Sequence, residues 1–325
     1  PTTYYSDYRG LLTTRTSWKP DAAFLFFEPR NVPGGHTWGS RNDFIIASHG
    51  RCWNYRPSGT EGSSDQRSVI LIDGEGQGHQ CVQGRMLSLK DGTRATIATG
   101  EATWAYSFKA DPHGEPVRFT PNDSRLFKST LPWLDQPWSF LPDWRYGKKG
   151  GLRHGHWQPH TSVEFAYRTV ALVKNRRPYF LIRDDLKMDA KTHEYKWLMQ
   201  TPADLKVIQP AKRTHSHVDL VIGDDQDRRL LVRILEAGSQ TEIPAATLAG
   251  TTIVDYSKTY RNKTTRYRRL EIPVTDTHGN FTALLFPYKQ GEILPDTAYA
   301  PQKNRLFVKT DDHLDTFSLS RDKSG

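Results

Sequence analysis

The sequence predicts an all-β protein of antiparallel sheets, arranged as a sandwich or a barrel. Three observations predict it: apolar runs of strand length recur at short spacing, turn residues separate them, and no amphipathic helix longer than three turns intervenes. The 14 Tyr, 14 Phe and 9 Trp among 325 residues give such a chain enough apolar surface for a sizeable core and exclude a disordered one.

In chain order, residues 23–27 (Ala-Phe-Leu-Phe-Phe), 43–48 (Asp-Phe-Ile-Ile-Ala-Ser) and 68–73 (Ser-Val-Ile-Leu-Ile-Asp) are aromatic and β-branched runs. Residues 163–173 place Val163, Phe165 and Tyr167 on one face of a period-two pattern. Further β-rich runs fall at 179–183, 193–199, 218–222, 229–235, 251–256, 269–274 and 281–286. Asp91-Gly92, Gly223-Asp224-Asp225 and His278-Gly279-Asn280 punctuate them as turns. The acidic pair Asp184-Asp185 follows a strand at a place where a turn is expected. One region breaks the rhythm: residues 110–162 form a long loop rich in Pro, Trp and His, and loops of that length carry function more often than not. The whole chain, 1–325, reads as a single domain with a frayed tail from about residue 312.

Charge and composition limit the partners. With 45 Lys+Arg against 36 Asp+Glu, the net charge of +9 favours polyanions. The basic residues are scattered, which argues against nucleic acid, and the basic aromatic stretch from Tyr256 to Arg269 reads as a solvated edge strand. No apolar run approaches the ~20 residues of a membrane span. Cys52 and Cys81 make no disulfide framework, although one bond is open to them. The first of three methionines is Met86, so a leader or a whole N-terminal domain is expected to be absent from this chain.

The most informative stretch delivers a histidine from a glycine pair at a loop, Gly34-Gly35-His36-Thr37-Trp38-Gly39-Ser40-Arg41, and then enters an apolar strand. Downstream, Arg51-Cys52-Trp53-Asn54-Tyr55-Arg56 adds arginines and aromatics, and Arg67 opens the run ending Asp73-Gly74-Glu75-Gly76-Gln77. Arginines suit carboxylates through bidentate pairing, and aromatic faces suit sugar rings. Two histidine strings, His154-x-His156-x-x-x-His160 and His215-x-His217-x-Asp219, have spacings adequate for zinc. Such strings also arise by chance in a chain with 12 histidines, and no metal is assigned to them.

These motifs, in this order, resemble the C-terminal β domain of the heparinase II/III-like polysaccharide lyases, which include several alginate lyases. The carriers are Arg15-Thr16-Ser17-Trp18, the Gly35-His36 segment, the Ile72-Asp73-Gly74-Glu75-Gly76-Gln77 run, Tyr179-Phe180-Leu181-Ile182-Arg183-Asp184, and His193-Glu194-Tyr195-Lys196-Trp197. The resemblance covers roughly residues 8–290. It implies a large antiparallel β-sandwich of the super-sandwich type, with the family's N-terminal helical toroid absent from this chain. It also implies β-elimination at a uronate of an acidic polysaccharide, in a periplasmic or secreted protein, with the catalytic Tyr on the toroid as a separate domain or chain. His36 is then the catalytic candidate from the β domain, as carboxylate neutraliser or auxiliary base. Trp38, Arg41, Trp53, Tyr55, Arg56 and Arg67, with Trp144, His154, His156 and Trp157 of the long loop, are the substrate-binding candidates.

One departure matters. Many members hold a zinc at three positions that here carry Trp38, Asn54 or a neighbour, and Arg67; neither Trp nor Arg offers zinc a lone pair, so that site is expected to be missing and no cofactor is expected. The reading from another class is a non-catalytic carbohydrate-binding module, which would tolerate loss of His36. A basic all-β nucleic-acid binder is a third, marked by steep salt dependence.

Overall fold

The computed structural model describes residues 1–7, 9–30, 39–57, 64–77, 84–110, 157–159, 163–214, 216–260, 262–311 and 313–319. Among them, β1 (Thr3–Ser6), β2 (Leu11–Arg15), β3 (Phe24–Glu28), β4 (Asp43–Ser48) and β5 (Arg51–Cys52) form a five-stranded sheet in chain order. An eight-stranded sheet has the order β14 (Lys206–Thr214), β15 (His217–Gly223), β16 (Arg228–Ala237), β19 (Phe281–Lys289), β12 (Tyr179–Lys187), β11 (Phe165–Val173), β8 (Ala95–Glu101), β7 (Arg85–Asp91). A four-stranded sheet joins β17 (Thr252–Tyr260), β18 (Lys263–Asp276), β13 (His193–Pro202) and β6 (Ile70–Ile72). A three-stranded sheet holds β20 (Asp296–Ala300), β21 (Arg305–Lys309) and β22 (Leu314–Ser318), and β9 (Phe108–Ala110) pairs with β10 (Trp157–Pro159). Two α-helices of about one turn, Thr103–Ser107 and Ala245–Gly250, and two 3-10 turns, Ser64–Gln66 and Pro301–Lys303, complete the described elements.

The layers follow from alternation. One contiguous core joins the inner residues of the eight-stranded sheet (Val170, Leu172, Phe180, Ile182, Val232, Leu285) to those of the five-stranded sheet (Leu12, Leu25, Phe27, Phe44, Ile46) and the four-stranded sheet (Trp197, Met199, Leu270, Ile272). A second core lies on the opposite face of the eight-stranded sheet, where Tyr179, Leu231, Leu284 and Phe286 meet Leu306 and Val308 of β21. Strands β16 and β19 are therefore covered on both faces, which is why their sequences read as nearly unbroken apolar runs. Each large apolar side chain so buried contributes about 1.5–3 kcal/mol.

The antiparallel all-β architecture expected from the sequence is present. Two local expectations are corrected, and one strand has no counterpart among the expected runs. Asp184 and Asp185 lie inside β12, because the buried Asp184 carboxylate is satisfied by Arg168 across the sheet and the strand continues. Residues 314–318, read as part of a frayed tail, form β22: Phe317 packs against the ring of Tyr179 (centroids 6.4 Å apart), and Asp315 accepts the Tyr179 hydroxyl at 2.9 Å. The edge strand β14 shows no alternation in its sequence, being largely exposed and irregular in register against β15.

Candidate functional site

Strands β3 and β4 pair so that Glu28 stands directly opposite Asp43. Two carboxylates in that position repel unless a cation bridges them. Arg56 supplies it: Nε donates to Asp43 Oδ2 at 2.7 Å and Nη2 donates to Glu28 Oε2. Arg30 Nη1 adds a bond to Glu28 Oε1 at 3.3 Å, and the Ser68 amide donates to Asp43 Oδ1 at 2.9 Å. Both carboxylates are buried. Burial works against the Arg56 charge, but Asp43 and Glu28 outweigh it and hold the guanidinium above its ordinary pKa. Arg67 lies beside them and is buried; desolvation, reinforced by the nearby Arg56 cation, pushes it below the ordinary arginine value against the pull of Asp43.

A hydrogen-bonded clasp adjoins this cluster. Ser64 Oγ donates to the Gly39 carbonyl at 2.9 Å and accepts the Gln77 amide at 2.8 Å. The Gln77 side chain accepts from the Arg41 amide and donates to the Arg41 carbonyl, both at 2.7 Å. A Cβ on Gly39 would sit 2.4 Å from Ser64 Oγ and 2.9 Å from the Gln77 carbonyl oxygen, so the close approach requires glycine. The Gly84 amide donates to the Arg30 carbonyl at 3.0 Å. Arg30 and Gly39 thus bracket in sequence the segment holding His36 and Trp38, and both belong to this one network.

Behind the clasp lies a polar cavity with room for roughly one water, lined by residues including Arg41, Asn42, Gln77, Tyr106, Arg168 and Asp184. Arg168 donates to Asp184 through Nε (2.6 Å) and Nη2 (3.0 Å), and its Nη1 donates to the carbonyls of Asn42 (2.9 Å) and Ser68. Trp197 Nε1 donates to Asp184 Oδ2 at 3.0 Å. This buried ion pair ties the eight-stranded sheet to the segments carrying the clasp. The Tyr106 hydroxyl donates to the Ile70 carbonyl, and burial pushes its pKa up to about 12, so it is a fixed donor at neutral pH.

The sequence-predicted residues divide three ways. His36, Trp38, Trp144, His154 and His156 lie outside the described residues, and Trp157 opens β10 without its side chain being described. Arg56 and Tyr55 stand at the rim, with the Tyr55 hydroxyl donating to the Arg266 carbonyl at 3.2 Å. Arg41 and Trp53 are both 0% exposed, and Arg67 is buried. Trp53 donates its indole N–H to Ser48 Oγ at 2.8 Å inside the main core, leaving no ring face for a sugar. The surface contacts expected of Arg41, Trp53 and Arg67 are therefore replaced by internal roles. Sequence reasoning passed over Glu28 and Asp43, whose only signal is a lone acid ending one apolar strand and beginning the next.

Zinc does not fit the described positions. The Asn54 amide is consumed by the Ile46 amide (2.6 Å), the Phe44 carbonyl (2.7 Å) and Ser68 Oγ (3.2 Å), and Arg67 offers no lone pair. Of the histidine strings, His154, His160 and His215 lie outside the described residues, while Asp219 is engaged bidentately by Arg233 at 2.8 Å. On the β17–β18 hairpin, Arg269 pairs with Glu271 and stacks over Tyr256 at 4.0 Å, and Arg268 pairs with Asp255. Only β17 is an edge strand; β18 is paired on both sides, by β17 and β13, and Tyr267 and Arg269 are buried, which corrects the expectation of a solvated edge strand for the whole stretch.

Fold and site define a multi-sheet antiparallel β-sandwich whose β3–β4 end is locked by arginine–carboxylate pairs. Among solved structures, the crystal structure of heparan sulfate lyase HepC from Pedobacter heparinus matches with a TM-score of 0.61 and 13% identity, over 98% of this chain and 43% of that one. The heparinase III BT4657 gene product matches with a TM-score of 0.61 and 10% identity, over 97% and 42%. A further heparinase III structure gives 0.59 and 9%, over 98% and 42%. At these identities the likeness is one of fold, and the chain spans about two fifths of the length of the structures it matches. No protein-family model matches the sequence, and the search among curated proteins returns no match.

Proposed function

We propose that this chain is the β-sandwich module of a polysaccharide lyase that cleaves an acidic, uronate-containing polysaccharide by β-elimination. The observation that supports the reading is the fold likeness over nearly the whole chain to heparan sulfate lyase and heparinase III structures. In this reaction the C5 proton beside the uronate carboxylate becomes removable once the carboxylate charge is neutralised; a base takes it, the C4–O4 bond breaks, and an acid protonates O4. Arg56 is committed to Glu28 and Asp43, and Arg67 is buried beside it, so both serve as struts under the site rather than as clamps on the substrate. Neutralisation or proton abstraction from this module then falls to His36, histidine being the side chain whose unperturbed charge change lies nearest neutral pH. The catalytic Tyr would come from a helical toroid in the remaining part of the enzyme. A polymeric substrate places the protein in the periplasm or outside the cell.

The test is the ultraviolet absorbance of unsaturated uronate product, measured on a panel of polyuronates. The chain is assayed alone and joined to its natural upstream sequence, each with and without His36→Ala. Activity of the longer form, lost in His36→Ala, supports the reading. Silence of both forms, with polyanion binding intact in His36→Ala, would sink it in favour of a non-catalytic carbohydrate-binding module.

A further inference from the structure

The outer face of the five-stranded sheet is largely apolar and only half-buried among the described residues. Register puts Tyr4 opposite Thr13, Thr13 opposite Phe26, and Phe26 opposite Ile45, while Arg15 stands opposite Phe24 and Phe24 opposite Ala47. Directly paired residues share a face, so these seven side chains line one surface, and the alternate residues Leu12, Leu25, Phe27, Phe44 and Ile46 fill the core beneath. Tyr4 is 66% exposed and Trp18, just beyond β2, is 72% exposed. Two open aromatics beside half-buried Phe24 and Phe26 form a patch of the kind that marks an interaction surface.

Its charge identifies the partner. The Arg15 guanidinium lies 4.3 Å from the Trp18 ring centroid and 5.1 Å from that of Phe24, and it has no carboxylate partner among the described residues. The same face carries Arg56 over Phe26 at 4.9 Å. A flat exposed indole beside an uncompensated guanidinium presents a stacking surface and an anion donor side by side. A purely apolar partner would leave that cation desolvated, whereas an acidic sugar satisfies both groups. From Phe24 to Glu28, four residue steps at ~3.3 Å put the Arg15–Trp18 end of this face roughly 13 Å from Glu28, with Arg56 over Phe26 between them.

We propose that Trp18, Arg15 and Tyr4 form a binding subsite for an acidic oligosaccharide, Trp18 stacking on a sugar ring while Arg15 pairs with its carboxylate or sulfate. The subsite rests on the proposed acidic-polysaccharide substrate and extends its contacts to the outer face of the five-stranded sheet. The test is calorimetric titration of the chain with an alginate hexasaccharide and a heparan sulfate octasaccharide, together with the carboxyl-reduced form of the first. Trp18→Ala and Arg15→Gln are each expected to weaken binding of at least one acidic probe about tenfold, with Trp18→Phe recovering much of it and the reduced probe binding no better than the variants. Circular dichroism and the melting temperature should stay as in the parent, because Trp18 is exposed. Unchanged affinity in both variants overturns the subsite, as does no measurable binding of either acidic probe. A concentration-dependent dimer in sedimentation that Trp18→Ala dissolves would also overturn it, assigning the face to a second copy of the chain. Eliminative activity of the longer polypeptide is read separately, so loss of the subsite leaves the lyase reading standing, and loss of that activity with binding intact does the reverse.

Discussion

Asp184→Asn would strip the counter-charge from a guanidinium that is 2% exposed. Arg168 reaches Asp184 through two hydrogen bonds of 2.6 and 3.0 Å, and the indole of Trp197 completes the carboxylate. Breaking a buried pair from one side leaves a desolvated ion, and the expected cost is about 3–5 kcal/mol. Removing both partners with Arg168→Met and Asp184→Leu removes the ion as well. The residual cost then comes from Trp197 Nε1 and the carbonyls of Asn42 and Ser68, each left without its partner at about 1–3 kcal/mol before relaxation. The double variant is therefore expected to lie well above the sum of the singles in stability, with a coupling of about 3 kcal/mol. Urea unfolding followed by tryptophan fluorescence measures all four corners of the cycle. A loss below about 1 kcal/mol in Asp184→Asn, or strict additivity in the double variant, would refute the view that this pair is a charged strut within the eight-stranded sheet.

Three other outcomes are expected. His193 is held between Asp189 (Nε2 to Oδ1, 3.0 Å) and Asp73 (Nδ1 to Oδ2, 2.7 Å); the Asp189 bond first, then Asp73, raises its pKa, while its bonds lower both carboxylates despite an opposing burial effect. A raised histidine pKa gives stability that is complete below about pH 6.5 and lost as pH rises through the folded-state value, whereas the lowered carboxylates give stability present above about pH 4 and lost on acidification. Melting temperature should thus fall from pH 6 towards 8, and His193→Gln should flatten that slope; parallel curves for parent and variant would count against the clamp. Gly84→Ala places a Cβ 2.2 Å from the Pro29 carbonyl oxygen and 2.5 Å from that of Glu101, and should cost about 1–3 kcal/mol in the same urea assay. Truncation after residue 313 removes Phe317 and the acceptor of the Tyr179 hydroxyl, and should lower the melting temperature by several degrees; an unchanged value would return β22 to the status of a tail.

Much of the fold was legible because a run of aromatic and β-branched residues of strand length is a local property. Phe24 to Glu28, Asp43 to Ser48 and Phe281 to Lys289 announce themselves in five to nine residues, and Gly92 and Gly223 mark where their neighbours turn. Strands such as β14 stayed silent, since an exposed edge strand has no buried face to impose a pattern. The site was less legible. Residue type identified Arg41, Arg67 and Trp53 as chemistry-bearing, but whether a side chain is buried depends on how the layers pack around it, and all three are enclosed.

By itself, then, the sequence determined the antiparallel β class, the basic charge and the turn glycines, because each is written in local periodicity, composition and backbone freedom. Tertiary structure decided which charges oppose one another. Glu28 faces Asp43 only through strand register, Arg168 finds Asp184 only across paired strands, and Arg15 meets Trp18 and Phe24 on an open face only once β2 has paired with β3. Hydrogen-bond register and layer packing fix these meetings, and both act between residues far apart in the chain.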